Sequence, residues 1–530
     1  LGEYDPRVAL VIDPVLTWNT FLGGGDDSGR GITLDGNGNV YVVGISGGTW
    51  GNPVRPFTGF NDDAFVAKLD ANGNLLWHSF FGSTGYDHGT DIALDGNGNV
   101  YISGISTNTW GTPVRAFTGT NDDGFAAKIN STGELVWHTF LGGVGVDHAE
   151  GITVDGNGNA HVVGISGATW GTSVRAFSGT NDDAFAAKLD SDGVLTWNTF
   201  LGSSAVDYGD AITVDGNGNV YVSGISAATW ESPVRAFTGF NEDAFAAKLN
   251  SAGALTWNTF LGGNGVDWGK DIAVDENGNI YLAGISGQTW GSPVRGFSGV
   301  GNDDAFAAKL DSAGALTWNT FLGSENPDRG QGIAVAGNGE VYVTGISSST
   351  WGTPVRMFSG TSDDAFAARL NSGGALTGNT FLGGNWTDHG EGIAVDGNGS
   401  VYVAGVSTGT WGTPIRAHYG GGSDAFVVKL AALTDCTQVP EVPLLLTPVN
   451  KSKVKGRWAN LDWGDSACTT RYQLIVREGS RKGPRVLSWT VYDTKATTGR
   501  LTKGKTYFWR VTASNDSGKS KSLWFSFTLK

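Results

Sequence analysis

A repeat of about 60 residues occupies most of this chain and limits what it can fold into. The segment Leu16-Thr-Trp-Asn-Thr-Phe-Leu-Gly recurs with small variations from Leu75, Leu135, Leu195, Leu255, Leu316 and Leu376. A second segment, Thr-Trp-Gly-x-Pro-Val-Arg, recurs 60 residues apart, with one step of 61 where Gly301 is inserted. Repeats of this length fold as supersecondary units that bury their apolar faces against their neighbours. The repeat therefore decides the architecture.

Each copy contains four short apolar runs, which in the first copy are Gly31–Leu34, Val40–Ser46, Ala64–Leu69 and Leu75–Gly82. They are rich in Val, Ile, Phe and Trp, and clusters of Gly, Asn and Asp separate them, a pattern typical of β-strands joined by tight turns. A sustained helical period is missing, and the 84 glycines would penalise helices. Four strands repeated seven times predict an all-β, seven-bladed β-propeller.

The two ends of the repeat array are complementary. The run that begins at Leu16 is a fourth strand without three strands before it, and the last copy supplies three strands without a fourth. We expect the N-terminal strand to complete the last blade, which leaves no unpaired blade edge at the junction.

The repeated segments resemble a known family. Gly-Asn-Val-Tyr-Val-x-Gly-Ile-Ser, Asp-Ala-Phe-x-Ala-Lys-Leu and Trp-Asn-Thr-Phe-Leu-Gly-Gly are similar to the bacterial β-propeller repeat called SBBP, over residues 16–433. The resemblance implies a bacterial protein that is secreted or attached to the cell surface, and it implies no particular activity. Residues 1–15 form a lead-in segment outside the repeats.

The C-terminal region differs from the repeats. After a linker at 434–441, residues 442–530 lose the repeat and alternate in short apolar runs, which predict a β-sandwich of ordinary size. Leu501-x-x-Gly-x-x-Tyr507-x-Trp509 is similar to the tyrosine-corner region of fibronectin type III domains, and Trp463 matches their early core Trp. Cys436 and Cys468 are the only cysteines and the candidate pair for a disulfide, since exported proteins can keep such bonds, with two free thiols as the alternative.

Charge divides at the same boundary. Residues 436–530 contain 17 Lys and Arg against 6 Asp and Glu, a net charge of +11, whereas the rest carries −27, and the whole chain −16. The acidic total argues against a general nucleic-acid binder, and no apolar run is long enough for a transmembrane helix. The opposite net charges of the two regions permit two interpretations. Either each region is merely solvated in its own way, or the basic region of one copy binds the acidic region of another.

The loop between the second and third predicted strands supplies the candidate site residues. They form a candidate binding ring of seven Trp–Arg pairs: Trp50, Arg55, Trp110, Arg115, Trp170, Arg175, Trp230, Arg235, Trp290, Arg295, Trp351, Arg356, Trp411 and Arg416. One interpretation is structural, with Trp and Phe57 in a small core and Arg bound to a carboxylate or to backbone carbonyls. The other is seven equivalent sites for a sugar or peptide, with Trp as stacking platform and Arg as a bidentate donor.

Other repeated polar residues give weaker signals. The loops before the first strands carry Asp26, Asp27, Asp87, Asp147, Asp207, Asp267, Asp328 and Asp388, expected on the same face as the Trp–Arg loops. The Asp35-Gly-Asn-Gly-Asn39 loops predict hairpin turns, with a calcium loop as the weaker alternative because the closing Glu is missing. We expect no cofactor and no catalytic site, since nearly identical blades lack the asymmetry that catalysis needs.

Together these features predict a non-enzymatic extracellular scaffold for adhesion or assembly, whose partners are other copies of itself or cell-surface polymers. A self-assembling form would place the basic domain of one copy on the propeller of the next and produce filaments. The alternative is a multivalent, lectin-like propeller whose weak sites gain affinity through avidity.

Overall fold

The computed structural model of the chain is built from β-strands and turns. It describes residues 16–239, 241–299, 301–431, 439–440, 442–464, 466, 471–491, 495–515 and 518–530. Within these ranges every regular element is a strand, which confirms the all-β prediction. The predicted lead-in segment 1–15 lies outside them.

The described residues between 16 and 430 form seven antiparallel sheets of four strands each. The N-terminal strand β1 (Leu16–Leu22) belongs to the last of them. Sheet 1 contains β2–β5, which are Asp27–Leu34, Val40–Ser46, Asp63–Leu69 and Leu75–Phe81. Sheet 2 contains β6–β9, which are Asp87–Leu94, Val100–Ser106, Asp123–Ile129 and Leu135–Leu141. Sheet 3 contains β10–β13, which are Asp147–Val154, Ala160–Ser166, Asp183–Leu189 and Leu195–Leu201.

The remaining sheets repeat this order. Sheet 4 contains β14–β17, which are Asp207–Val214, Val220–Ser226, Asp243–Leu249 and Leu255–Leu261. Sheet 5 contains β18–β21, which are Asp267–Val274, Ile280–Ser286, Asp304–Leu310 and Leu316–Leu322. Sheet 6 contains β22–β25, which are Asp328–Val335, Val341–Ser347, Asp364–Leu370 and Leu376–Leu382. Sheet 7 contains β26–β28, which are Asp388–Val395, Val401–Ser407 and Asp424–Leu430, and takes β1 as its fourth strand.

The seven sheets follow one another around a closed ring. The first strand of each sheet contacts the first strand of the next, and β26 of the last sheet contacts β2 of the first. At the junction β1 pairs antiparallel with β28, with Leu16 opposite Leu430 and Leu22 opposite Ala425. This pairing confirms that the N-terminal strand completes the last repeat.

The first strand of each sheet begins earlier than the apolar pattern predicts. In sheet 1 the strand starts at Asp27, four residues before the predicted Gly31. Asp27 and Gly29 are buried, whereas Ser28 and Arg30 keep contact with solvent. Because the exposed half of this strand faces the centre of the ring, its sequence is polar and resembles a loop.

Glycine in the second strand permits a close approach of the first strand. A Cβ on Gly44 would lie 1.9 Å from the backbone oxygen of Ser28. The first strand bulges between Gly29 and Gly31, directly beside this contact. The same Gly recurs in every second strand, so the bulge is part of the repeat.

The core of the ring lies between consecutive sheets. One buried cluster, for example, combines Tyr41 and Val43 of sheet 1 with Val100 and Ile102 of sheet 2. Seven such clusters form around the described ring, one for each pair of neighbouring sheets. A single repeat therefore cannot bury its own apolar faces, and stability depends on the interfaces between sheets.

Tryptophan in the fourth strand binds six of the seven sheets to the next sheet. Trp137 of sheet 2 donates its indole N–H to the Ser191 carbonyl of sheet 3 at 2.9 Å and packs over Gly193. Equivalent bonds join Trp18, Trp77, Trp197, Trp257 and Trp318 to Ala71, Ser131, Ser251, Ser312 and Ser372. Sheet 6 has Gly378 at this position. The Trp is therefore replaced only in the sheet that precedes sheet 7. In sheet 7 the third and fourth strands come from opposite ends of the repeat array, and no hairpin joins them.

The described residues after 442 form two further sheets. The first contains β29 (Leu445–Thr447), β31 (Asn460–Trp463) and β34 (Lys495–Thr497). The second contains β30 (Ser452–Val454), β32 (Arg471–Glu478), β33 (Arg485–Val491), β35 (Thr506–Asn515), β36 (Gly518–Lys521) and β37 (Phe525–Leu529). Leu461 and Trp463 from the first sheet share one core with Leu474, Trp509 and Phe527 from the second. The strands of three or four residues at β29, β30, β34 and β36 were too short for the sequence pattern to predict.

Candidate functional site

The seven Trp residues of the candidate ring are buried in the protein. Each lies in the insertion between the second and third strands, and their exposed fractions are 4–5%. The ring of Trp50 packs edge-on against Phe65 and Phe80, with centroids 5.8 Å apart in both cases, and Phe57 packs against Phe80 at 5.5 Å. In this sheet the indole is also stacked on His78 at 3.9 Å. The protein's own side chains therefore cover the faces that a sugar would need.

Each insertion Arg binds the end of the fourth strand of its own sheet. Arg115 donates from Nη1 to the Phe140 carbonyl at 2.8 Å and from Nη2 to the Gly142 carbonyl at 2.7 Å. The same two bonds are made by Arg175, Arg235, Arg295, Arg356 and Arg416. Arg55 donates to the Phe80 carbonyl. The bidentate geometry that could have bound a ligand is directed at the backbone.

The same Arg residues also connect neighbouring sheets. The guanidinium carbon of each lies over the insertion Trp of the next sheet, 5.2–5.7 Å from the ring centroid. The pairs are Arg55–Trp110, Arg115–Trp170, Arg175–Trp230, Arg235–Trp290, Arg295–Trp351, Arg356–Trp411 and Arg416–Trp50. Contacts of this kind contribute about 0.5–2 kcal/mol each. The fourteen candidate residues thus meet in one closed chain of contacts, which favours the structural interpretation.

Seven of the eight Asp residues expected in the loops before the first strands are instead the buried first residues of those strands, whereas Asp26 lies in its loop and is exposed. Asp87 accepts bonds from the Ser83 amide at 2.7 Å and from the Ser106 hydroxyl. Asp63, at the start of a third strand, accepts from the Thr58 amide at 2.6 Å. For these seven the loop prediction was wrong, because the residue after each Asp differs between copies and is mostly polar, unlike the start of an apolar strand. These carboxylates bind the loops before the first strands and the insertions, and they are not exposed to ligands.

The buried carboxylates occur in pairs that share a small space. A Cβ on Gly82 would lie 2.6 Å from Oδ1 of Asp63 and 2.8 Å from Oδ2 of Asp87. Burial raises the pKa of Asp63 to about 6, and the charge of Asp87 adds to this effect. Glycine is required here because a larger residue would collide with both carboxylates.

The repeats also differ at a position within the first strand, toward the centre of the ring. The third residue after each strand-initial Asp is Arg30, Thr90, Glu150, Asp210, Lys270, Gln331 and Glu391 in turn. Asp210 accepts a bond from Trp268 Nε1 at 2.6 Å and pairs with Lys270 at 3.0 Å. Burial, together with the charge of Asp210, raises the pKa of Glu150 to about 7. The sequence analysis missed this lining because it considered the residues that the repeats have in common. The feature that could have revealed it is a position that varies between copies although the strand around it is repeated.

The position after each Asp lines the mouth of the ring, on the side of the insertions. His88 lies 3.4 Å from Asp62, and His148 lies 3.7 Å from Asp122. Arg329 and His389 contact Asp303 and Asp363 at 3.8 and 3.9 Å. Each contact joins a residue of one sheet to the insertion of the preceding sheet, so variable side chains surround the opening.

The Asp35-type loops close as hairpin turns. Oδ1 of Asp35 accepts bonds from the amides of Asn37 and Asn39, both at 2.9 Å. In the part of the chain that the structure describes, no group of three or more His, Cys, Asp or Glu side chains is arranged to hold a metal ion. Cys436 and Cys468, the candidate disulfide, lie outside the described residues.

Comparison with known proteins points to the same class of repeat. The family described as Beta-propeller repeat, SBBP, matches residues 256–291. Together with the repeated four-stranded sheets, this match defines a β-propeller repeat protein.

More distant relatives share part of their length with this chain. An uncharacterized WD repeat-containing protein of Acanthamoeba polyphaga mimivirus is 22% identical over 509 residues, covering 74% of this chain and 36% of that protein. Regulatory protein FlaEY of Caulobacter vibrioides is 28% identical over 167 residues, covering 29% of this chain and 17% of that protein. The chain thus spans a minor part of both. A solved luciferin-regenerating enzyme is 10% identical with a TM-score of 0.32, covering 66% of this chain and 94% of that structure.

A search of the described residues for a helix able to cross a membrane found none of sufficient length and hydropathy.

Proposed function

We propose that this protein is a non-enzymatic extracellular or cell-surface scaffold of a bacterium, acting in adhesion or assembly. Its body is a seven-bladed β-propeller, and residues 442–530 are a fibronectin type III-like sandwich. The observation that carries the proposal is the closed chain of Arg–Trp contacts, because it assigns the most regular polar residues of the repeat to holding neighbouring sheets together.

The geometry of the C-terminal region supports the fibronectin-like assignment. The hydroxyl of Tyr507 accepts a bond from the Thr502 amide at 2.8 Å, five residues upstream. A Tyr hydroxyl bound to backbone a few residues earlier is the arrangement of a tyrosine corner. Trp463 and Trp509 are buried side by side, with ring centroids 6.5 Å apart.

Charge supports self-assembly. The region from 436 onward carries +11 and the rest carries −27, so copies can attract one another head to tail. A contact between two different surfaces that does not close on itself generates a filament. Because exposed charges are screened beyond about 8–10 Å in physiological salt, assembly should weaken as ionic strength rises.

Negative-stain microscopy of the full chain at low and high salt tests this function. Filaments or short chains at low salt that disperse at high salt are the expected result. Dispersed monomers at every salt and protein concentration would contradict self-assembly. Surface proteolysis of intact cells that produce the protein tests the location separately, and protection of the protein until the cells are broken would contradict it.

A multivalent carbohydrate-binding function is the second candidate, and a glycan array tests it. The insertion Trp residues are too deeply buried to stack on a sugar, so the aromatic residues exposed on the ring would have to serve, for example Trp386 at 60% exposure and Tyr419 at 67%. Binding that is lost in Trp386→Ala and retained in Trp110→Phe would favour this function over the scaffold.

A further inference from the structure

The C-terminal region carries two adjoining clefts with basic and aromatic borders. The first, of about 360 Å³, lies between strand β33 and the turn after β34, and Trp489, Arg500 and Tyr507 line it. The second, of about 400 Å³, lies between Arg457 and Lys503. Arg500, Leu501 and Thr502 border both, so the two form one surface, here called the basic cleft.

The cationic groups of the basic cleft are free of carboxylate partners within the described residues. Among the described residues, no carboxylate lies within 4 Å of the charged groups of Arg457, Arg500 or Lys503. The nearby Glu478 is paired with Lys505 at 3.4 Å. Beside them Trp458 is 59% exposed and Trp489 is 44% exposed. Exposed tryptophans flanked by arginine are typical of the central residues of protein interfaces.

The ring offers a surface of complementary chemistry on its insertion side. The acidic residues at the mouth of the ring are Asp26, Asp62, Asp122, Asp182, Glu242, Asp303 and Asp363. Asp62 and Asp363 are 35% and 42% exposed. We call these residues, with the insertion tips and the loops before the first strands, the insertion face.

The insertion face also exposes large apolar side chains. Phe60 is 99% exposed, Tyr86 52% and Trp386 60%. Phe60 and Tyr86 belong to the same patch, because the Asn61 side-chain amide donates to the Thr84 carbonyl at 3.1 Å and the Asp87 backbone amide donates to the Asp62 carbonyl at 2.8 Å. Acidic groups and exposed aromatic rings therefore stand side by side, as basic groups and exposed tryptophans do in the cleft.

We propose that the basic cleft of one copy binds the insertion face of the ring of a second copy. The inference rests on the proposed self-assembly and identifies the two surfaces that carry it. Charge complementarity selects the partner, and the aromatic residues on both sides supply the apolar contact that a purely anionic polymer would lack. Since the two surfaces differ, each copy can use its cleft and its face at once, and the chain of copies grows.

Sedimentation velocity of the full chain at low salt, with and without two charge reversals, tests the proposal. Arg500→Glu combined with Lys503→Glu should raise the dissociation constant for self-association about tenfold or more. The matched control, Lys519→Glu with Lys521→Glu, makes the same change of net charge on strand β36 and should leave association within about twofold. Circular dichroism and thermal melting confirm that both variants fold.

A mixing experiment tests the second surface. Asp62→Lys with Asp122→Lys alters the insertion face and should also prevent growth. When this variant is mixed with the cleft variant, one intact cleft meets one intact face, so the mixture should form dimers that do not extend. Neither variant alone should form them.

The outcomes separate this inference from the function on which it rests. A wild-type chain that stays monomeric would overturn both. A wild-type chain that associates equally well after the cleft reversal would overturn only the inference. Association that appears solely when an anionic polysaccharide such as heparin is added, and that the cleft reversal removes, would identify the cleft as a polysaccharide site and would also overturn it.

Discussion

Arg416, in the last insertion of the ring, lies over the indole of Trp50, in the first, with 5.2 Å between its guanidinium carbon and the ring centroid. The same guanidinium donates to the carbonyls of Phe21 and Gly23, both at 2.8 Å, at the end of the N-terminal strand. One side chain thus joins three segments that are distant in sequence. The other six Arg residues make corresponding contacts between sheets whose strands are joined by hairpins.

Replacing Arg416 should loosen the N-terminal strand more than an equivalent change elsewhere. Arg416→Ala removes two charged hydrogen bonds and the contact with Trp50, and we expect a loss of about 2–4 kcal/mol in the free energy of unfolding. Hydrogen exchange should accelerate across Leu16–Leu22, since that strand has no hairpin to hold it against β28. Guanidinium denaturation and exchange mass spectrometry measure the two effects.

Arg235→Ala is the matched control for that change. Arg235 makes the same bonds to Phe260 and Gly262, at 2.7 and 2.8 Å, within a continuous sheet. Arg235→Ala should lower the free energy of unfolding by a similar amount, but it should not accelerate hydrogen exchange selectively in one strand. Equal protection of both fourth strands in the two variants would show that the junction has no special dependence on Arg416.

The fourth-strand tryptophans should contribute strongly to stability. Trp137 is 8% exposed, bonds to the Ser191 carbonyl and packs over Gly193. Trp137→Ala should destabilise the ring by about 3–5 kcal/mol through the cavity it creates. Trp137→Phe keeps most of the apolar contact and should cost about 1–3 kcal/mol, chiefly from the unpaired carbonyl.

Val136→Ala, one residue earlier on the same strand, is the control for this experiment. Val136 is 54% exposed, so its truncation should change the stability by less than about 0.5 kcal/mol. Denaturation curves for the three variants give the comparison. A loss in Trp137→Ala no greater than in Val136→Ala would contradict a fastening role.

The repeat was sufficient to predict the strands, their grouping by four and the closing role of Leu16–Leu22. It also located the Trp and Arg of the insertion, but the direction of their contact could not be deduced. Arg55 contacts Trp110 of the next copy, whereas Trp50, in the same copy as Arg55, is contacted by Arg416. Because all copies carry the same two residues, the sequence is equally compatible with a pair inside one repeat and a pair between repeats.

The centre of the ring was not predictable for a different reason. Asp210, Trp268 and Lys270 contact one another only because two first strands lie side by side. They are 58 and 60 residues apart in sequence, at positions where the copies differ. A repeat pattern identifies the residues that the copies have in common, whereas this lining consists of residues at positions where the copies differ.

Buried carboxylates should make the ring less stable at alkaline pH. Burial raises the pKa of Asp364 to about 8 from an ordinary value of 3.8, and the charge of Asp388 adds to the shift. The folded protein therefore holds this proton more tightly than the unfolded chain, so its stabilising contribution is complete below pH 3.8 and is lost as the pH rises through 8. We expect the melting temperature to fall between pH 6.5 and pH 9, and Asp364→Asn to remove part of that fall.

Asp311→Asn is the control for the alkaline slope. Asp311 is exposed and caps a turn by accepting the Ala313 and Ala315 amides, both at 2.9 Å. Asn occupies the same position in other repeats and accepts the same bonds, as Asn250 does at 3.0 Å. Differential scanning calorimetry should show an unchanged slope for this variant. An unchanged slope for Asp364→Asn as well would mean that the carboxyl pairs are ionised without cost.

His138 should respond to pH in the opposite sense. Its ring is stacked on Trp110 at 3.8 Å and binds the Trp110 carbonyl through Nε2 at 2.7 Å. Burial lowers its pKa to about 4 from 6.5. The folded protein thus binds this proton less readily than the unfolded chain, and the contribution present above pH 6.5 is lost as the pH falls toward 4.

His138→Asn should therefore be more stable than the wild type at pH 5 and about equal to it at pH 8. The next repeat already uses Asn at this position, where Asn198 donates to the Trp170 carbonyl at 2.8 Å. Asn198→Ala is the comparison: it leaves that buried carbonyl without its donor and should cost about 1–3 kcal/mol at both pH values. Melting temperatures at pH 5 and pH 8 distinguish the two variants. If His138→Asn lost as much stability at pH 8 as Asn198→Ala, the stacked imidazole would be supplying more than the hydrogen bond that Asn can replace.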